Sequence, residues 1–429
     1  MSSTKPKENI IGLFAGLLIY RLTLRCYALC ITLAAPFNKK AALWAKGRKK
    51  WQQNLSQSLD SCNKKGSLIW IHCASLGEFE QGRPLIEALR IKHPNHLILL
   101  SFFSPSGFES KKNYDKADIV CYLPIDNPVN AKKWLELLNP SIAIFVKYEF
   151  WYDYLSALKS RKIPIYLVSG IFRPNQAFFK SWGSVFRKML GFYTKLFVQN
   201  EDSLLLLDSI GIQNVEICGD TRVDRVLQIK EEKTVYSVLE NFKYSSRILI
   251  CGSTWPADES IIIDFWHKYL AAKGWKIIIA PHEIHEKKID DLKKMFSATP
   301  ALLYSETSKS TEAELRNTKI LIIDNVGMLS RLYRYANAAY IGGGFGKGIH
   351  NTLEAAVYHI PIFFGPNNKK FAEAQDLLEL GIGFEIENRT ELSVIFESLD
   401  YVLVKKNAAA YIELQRGATD KIMNELSLV

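Results

Sequence analysis

Two successive series of short apolar runs constrain what this chain can fold into. The first is LIWIHC (68–73), LILLSF (97–102), IVCYL (119–123), IAIFV (142–146), IYLVS (165–169) and KLFVQ (195–199). The second is RILICG (247–252), KIIIA (276–280), ALLY (301–304), KILII (319–323), AAYIGG (338–343) and PIFF (361–364). The runs are continuous rather than alternating, and helical patterns separate them. Strands of that kind are buried on both faces, which means parallel sheets covered by helices. A chain of 429 residues also exceeds one ordinary core. The expected fold is α/β, two doubly wound domains in succession. Ligands in such sheets bind at the C-terminal strand ends, so the natural site is the cleft between the domains. A polar, helix-prone stretch near 225–245 marks the hinge. The expected division is an N-terminal segment 1–50, a first domain 51–230 and a second domain 231–429. Residues 407–426 read as a terminal helix.

The net charge of +11 is unevenly placed. Residues 1–60 carry ten cations (Lys5, Lys7, Arg21, Arg25, Lys39, Lys40, Lys46, Arg48, Lys49, Lys50) against Glu8 and Asp60, so +8 lies there and +3 in the remainder. These charges flank an apolar stretch, 10–37. A basic segment beside an apolar one points to an anionic membrane surface rather than to nucleic acid. The stretch is long enough to span a bilayer. Arg21 and Arg25 lie near its middle, however, where each costs on the order of 2.5–3.5 kcal/mol. One turn apart, they share a face and can snorkel to one interface. The stretch therefore reads as a helix lying in one leaflet rather than a full span, with a helix buried against the first domain as the plainer alternative. The basic cluster follows the apolar core and no small-residue cleavage site does, which argues against a signal peptide. The seven cysteines form no CxxC and no zinc-spaced cluster, which fits a reducing compartment and supplies no metal motif.

Candidate chemistry sits at the strand ends. After the first run, HCASLGEFEQGRP (72–84) makes a turn carrying Glu78, ahead of a helix that Pro84 would start near Gly82. After the fourth, KYEFWYD places Glu149 at the end of a neighbouring run. A single carboxylate there is often a helix N-terminal residue; two suit general-base chemistry on a sugar or alcohol. In the second half, AAYIGGGFGKGIHNTLEAAVYHIPIFFGP (338–366) reads as strand, glycine-rich loop and a helix from about Asn351. Such a loop suits a phosphate, although its spacing is neither Walker A nor GxGxxG, and a flexible turn with a helix cap explains it as well. Glu354 either meets the helix dipole or accepts hydrogen bonds from ribose hydroxyls. His282 and His285 have HxxH spacing but follow a strand end, where contact with an anionic ligand explains them better than a metal. No Ser/His/Asp arrangement is recognisable.

In register along nearly the whole chain, ASLGE (74–78), YEFW (148–151), VQNEDS (198–203), GDTRVD (219–224) and the HNTLEAA…IPIFFGP segment resemble the 3-deoxy-D-manno-octulosonic acid (Kdo) transferases of lipopolysaccharide assembly. The resemblance implies a GT-B glycosyltransferase: two Rossmann-like domains facing a central cleft, the first binding acceptor and the second donor, with a membrane-associated N-terminal helix. It implies CMP-Kdo as donor substrate, with no cofactor and no metal. It implies as acceptor the lipid A precursor (lipid IVA), an acylated phosphorylated glucosamine disaccharide, at the cytoplasmic face of the inner membrane. Glu78 becomes the general base for the acceptor's primary hydroxyl, with inversion at the Kdo anomeric carbon. Donor contacts fall on Pro281 and His282, on Val326, Gly327 and Met328, and on Asn351, Thr352, Leu353 and Glu354. Two family positions that stabilise the transition state align with Lys147, to which that role does not carry over, and with Arg222.

Several of these positions depart from the family pattern. His282 stands for an arginine, which weakens the fixed positive charge near the phosphate. Met328 stands for a glutamate and leaves mainly backbone contacts. Lys147 reverses the charge of a glutamate, and would pair with Glu149 or meet the Kdo carboxylate. Arg222 keeps the charge of a lysine. The competing enzyme reading is another two-domain nucleotide-sugar enzyme, a UDP-sugar transferase or non-hydrolysing epimerase. A non-catalytic protein of the membrane surface is the reading outside enzymes.

Overall fold

The computed structural model describes residues 10–62, 66–232, 234–296 and 299–427. Lys5, Lys7 and Glu8, counted above with the N-terminal charge, lie outside the described residues. The chain divides into two compact units, Met1–Asp224 with Arg416–Val429, and Arg225–Gln415. This departs from the single boundary expected at 230/231, because the chain returns to the first unit at its C-terminal end.

The first unit holds a parallel sheet of β1 (Leu68–Cys73), β2 (Leu97–Phe102), β3 (Ile119–Tyr122), β4 (Ile142–Val146), β5 (Ile165–Gly170), β6 (Lys195–Val198) and β7 (Val215–Ile217). Its order is β3-β2-β1-β4-β5-β6-β7, so the strand order reverses between β1 and β4. The second unit holds β8 (Ile248–Thr254), β9 (Lys276–Pro281), β10 (Ala301–Leu303), β11 (Ile320–Ile322), β12 (Ala338–Ile341), β13 (Ile362–Phe364) and β14 (Gly383–Glu385). Its order is β10-β11-β9-β8-β12-β13-β14, reversing between β8 and β12. Each apolar run is a strand. The short edge strands β7 and β14 were not anticipated.

Strand alternation splits the first core into two layers. Leu68 and Trp70 of β1 join Ala143 and Phe145 of β4 on one face, with Trp134 and Tyr154 from the covering helices. Ile69, Ile71 and Cys73 join Ile142, Ile144 and Val146 on the other. That second layer is completed by Ala418, Ile422 and Met423 of the terminal helix Ala418–Glu425. Asp224 fixes the return, accepting the backbone N–H groups of Gly417 (2.8 Å) and Thr419 (2.6 Å).

Four helices matter for the site: α1 (Ile10–Ala34), α2 (Lys39–Gly47), α3 (Trp51–Asp60) and α4 (Leu76–Lys92). α4 begins at Leu76, not near Gly82, and Pro84 stands inside it. The missing N–H costs about 3 kcal/mol in an isolated helix. Burial of Phe79, Leu85, Ile86 and Leu89 offsets that cost, at about 1.5–3 kcal/mol for each side chain.

α1 over Gly12–Ala34 is long and apolar enough to cross a membrane, with mean hydropathy 1.5. One side nevertheless packs on the first unit, where a Cβ on Gly16 would lie 2.6 Å from Val185. The other side exposes Phe14, Leu18, Ile19, Leu22, Leu29 and Leu33. Arg21 and Arg25 do share a face, but that face looks onto residues 125–129. Arg21 is bound to Asp153, so it does not snorkel. Arg48 also turns inward, donating to the carbonyls of Trp44, Leu123 and Phe103; burial pushes its pKa down to about 9. Lys39, Lys40, Lys46, Lys49 and Lys50 stay exposed.

Candidate active site

β1 and β4 flank the point where the first sheet's order reverses, and the residues that follow them bring Glu78 and Glu149 to one edge. Ser75 is the N-cap of α4, which puts Glu78 in its first turn. The Ser75 hydroxyl donates to the Glu78 carboxylate, and the N-terminal end of a helix favours negative charge there. Glu78 is partly exposed, whereas Glu149 is buried. Glu149 Oε2 accepts the Trp151 indole N–H at 2.6 Å and lies 2.9 Å from His72 Nε2, off the axis of a hydrogen bond. On its far side the His72 ring meets Ser101 through Nδ1, 2.9 Å from Oγ. Buried Cys73 lies within electrostatic reach of both glutamates: burial first, then the Glu78 and Glu149 charges, push its thiol pKa well up. Glu149 is thus an anchored, buried group. Glu78 is the more exposed of the two carboxylates.

Lys147, the first residue past β4, adopts φ 70°, a left-handed conformation costing about 1–2 kcal/mol outside glycine. Its N–H is held by the Val168 carbonyl at 2.8 Å. Next along β5, Ser169 is also left-handed, and its hydroxyl is 3.0 Å from that of Thr221. These contacts bring 220–222 to the same edge. Arg222 Nε lies 2.9 and 3.2 Å from the two Asp220 oxygens. Burial would raise the Asp220 pKa, but Arg222, aided by Lys147, outweighs burial and holds it below the usual carboxylate range. Beside this group Tyr148, Phe150 and Trp151, with Tyr20, Phe178 and Phe186, line an aromatic pocket of about 320 Å³.

The second unit's candidates also gather at a C-terminal strand edge. His282 follows β9 and stacks on two rings, Trp255 at 4.6 Å and His350 at 4.5 Å between centroids. The Trp255 indole N–H donates to His350 Nε2 at 3.2 Å. Burial, with His282 nearby, pushes the His350 pKa down to about 4. His285 instead caps the next helix, accepting the Lys288 N–H at Nδ1. Gly327 is left-handed, which presents an exposed Val326 while Met328 is buried. Asn351 donates from its amide to Glu354 at 3.1 Å and accepts the Leu353 N–H at 3.2 Å. The helix there is a single turn, Leu353–Ala356. Thr352 Oγ1 beside it is buried without a hydrogen-bond partner among the described residues.

The glycine loop differs from expectation. Several of its N–H groups are already used: Gly343 donates to the buried Asp258, Gly346 and Gly348 to the Gly343 carbonyl, and His350 to that of Gly342. Its glycines serve close backbone approach. A Cβ on Gly342 would lie 2.3 Å from Ser253 O, and one on Gly344 2.5 Å from Gly365 N. The sequence reading missed His72, Trp151, Asp220, Trp255 and His350. The signals were present: His72 is a polar residue inside an apolar run, and Trp255 and His350 follow strand ends as His282 does.

Two Rossmann-like units in succession, one edge bearing paired glutamates and the other a glycine loop with an Asn–Glu pair, make up a fold of the GT-B type. Residues 49–225 match the family described as "3-Deoxy-D-manno-octulosonic-acid transferase (kdotransferase)". The chain is 29% identical over 341 residues to the 3-deoxy-D-manno-octulosonic acid transferase of Aquifex aeolicus, covering 78% of this chain and 86% of that one. It is 27% identical over 377 residues to the enzyme of the same name from Rickettsia felis, covering 84% and 79%. Among solved structures, UDP-GlcNAc 2-epimerase from Neisseria meningitidis shares the fold at 14% identity and TM-score 0.58, covering 84% of this chain and 98% of that one. A glycosyltransferase from Rickettsia africae does so at 14% identity and TM-score 0.52, covering 84% and 97%. The chain is thus similar to Kdo transferases over most of its length, and its residues 49–225 match that family's model.

Proposed function

We propose that the chain moves Kdo from CMP-Kdo to the primary hydroxyl of lipid IVA, with Glu78 as general base. The observation that carries this is the placement of Glu78: a partly exposed carboxylate in the first turn of α4, at the end of β1, held by one hydroxyl. The carboxylate takes the hydroxyl proton, the oxygen attacks the anomeric carbon of Kdo, and the bond to CMP breaks with inversion. Lys147 and Arg222 supply positive charge at the same edge for the Kdo carboxylate or the leaving phosphate. In the second unit, Glu354, oriented by Asn351, accepts from the ribose hydroxyls. Pro281, His282 and the turn Val326–Gly327–Met328 line the nucleotide, and Thr352 and Leu353 shape the Asn351–Glu354 turn. The reaction needs no cofactor and no metal.

The acylated acceptor is supported by the aromatic pocket beside Tyr148 and by the exposed apolar side of α1. That side, with the exposed lysines of 39–50, also favours the cytoplasmic face of the inner membrane. Glu78→Gln, assayed with CMP-Kdo and lipid IVA, is expected to lower turnover about 10²–10⁴-fold. Near-normal turnover in the folded variant would remove Glu78 as base. Thermal protection by UDP but not by CMP would favour the UDP-sugar reading.

A further inference from the structure

Tyr20 and Arg21 are neighbours on α1, and each reaches a carboxylate buried by the rest of the first unit. Arg21 Nη2 is 2.5 Å from Asp153 Oδ1 and its Nε is 3.1 Å from Oδ2, a fork gripping both oxygens across 132 residues of sequence. Tyr20 donates its hydroxyl to Asp126 at 2.7 Å and accepts the Tyr152 N–H at 3.3 Å. Asp126 also takes the N–H groups of Asp153 and Tyr154, each at 3.0 Å. Asp153 is 5% exposed and Asp126 2%.

Together these hydrogen bonds tie α1 and Asp126 to the first turn of the helix Tyr152–Ser160. Its N-cap is Trp151, the residue that donates to Glu149. A second route runs through rings. Tyr27 of α1 stacks on Phe103 at 6.1 Å, Phe103 packs on Trp151 at 4.7 Å, and Trp151 meets His72 edge-on at 6.2 Å. α1 therefore reaches the His72–Glu149–Trp151 group twice.

A membrane anchor requires only an apolar surface, and the outer side of α1 supplies one. It has no need of an arginine fork on a buried carboxylate. Desolvating that carboxylate is costly unless its partner stays in place. We infer that α1 braces the strand-end edge: Tyr20 and Arg21 are positioning residues that hold Asp126 and Asp153, and through them the segment 147–151 beside Glu78. The inference rests on the reading that transfer takes place at the β1/β4 edge.

The test uses the full chain in detergent with CMP-Kdo and lipid IVA. Arg21→Leu and Tyr20→Phe are expected to lower kcat about 10- to 100-fold, the scale set by a small misplacement of reacting groups. For Arg21→Leu, KM for both substrates and co-sedimentation with anionic vesicles should not change, because Arg21 lines neither the aromatic pocket nor the exposed apolar side. Arg21→Lys, which keeps the charge, and the exchange Arg21→Asp with Asp153→Arg should each recover part of the lost kcat. Amide hydrogen exchange over 147–155 should quicken in Arg21→Leu whether or not Glu78 is the base, which separates failure of this inference from failure of the base assignment. Tyr20→Phe keeps the aromatic ring, so it serves where Arg21→Leu fails to fold. Unchanged kcat and exchange in the folded variants would overturn the brace. So would a fall in kcat that only follows loss of vesicle binding.

Discussion

His72 Nε2 lies 2.9 Å from Glu149 Oε2, and both side chains are buried. A pair of this kind is weak evidence of net stability when intact, but removing His72 leaves the buried Glu149 carboxylate with the Trp151 indole N–H as its remaining side-chain donor among the described residues. His72→Phe keeps the ring and removes both nitrogens. It is expected to lower the free energy of unfolding by about 3–5 kcal/mol in urea titrations. Glu149→Gln still offers an oxygen to Trp151, so its loss should be smaller, about 1–3 kcal/mol.

Two carboxyls of the first unit should give opposite pH signatures. Burial first, then the Asp153 charge, raise the Asp126 pKa from 3.8 to about 7. Its contribution to stability is full below the unfolded value of 3.8 and is lost as pH rises through about 7. Asp220 is held below 3.8. Its contribution is present above that value and is lost as pH falls through the folded one. In urea unfolding across acid to mildly alkaline pH, Asp126→Asn should flatten the neutral limb and Asp220→Asn the acid limb. The reverse assignment would contradict both environments.

Lys147→Glu would set a second anion against buried Asp220. The single variant should lose transfer activity, and adding Asp220→Asn should return part of it. A double-mutant cycle on kcat/KM is expected to show a coupling of about 1–3 kcal/mol, as for charged groups sharing one network. Additive losses would mean that the two side chains act separately.

Gly342→Ala places a Cβ 2.3 Å from Ser253 O and 2.6 Å from Thr254 Cα, both backbone atoms. The loop must shift, at about 1–3 kcal/mol, and thermal protection by CMP should fall with it. At Gly346 the nearest neighbour of a new Cβ is Gly343 O at 3.7 Å. Gly346→Ala should therefore stay within about 0.5 kcal/mol of the parent.

The strands were legible because both faces of each sheet are covered, leaving continuous apolar runs between helices. β7 (VEI) and β14 (GFE) escaped because three-residue edge strands that are not fully buried carry no such run. The start of α4 was misplaced because proline propensity is local while the burial that overrides it is tertiary. Glu78 and Glu149 were recognisable from strand-end position. Their different settings, one hydroxyl against a buried imidazole and indole, depend on His72 and Ser101 arriving from β1 and β2. The partner of Arg21 was beyond reach for the same reason: Asp153 is 132 residues away. An arginine in an apolar helix looks like a cost to membrane insertion until its carboxylate is known.

The return of the chain to the first unit at Arg416 has a consequence for biosynthesis. Residues emerge from the ribosome in order, and domains usually fold N-terminal first. Here Arg225–Gln415 is finished while the layer around Ile69, Ile71 and Ile144 still lacks Ala418, Ile422 and Met423. The unit begun first is the one closed last. Until those residues are made, an apolar flank of the nascent chain stays open.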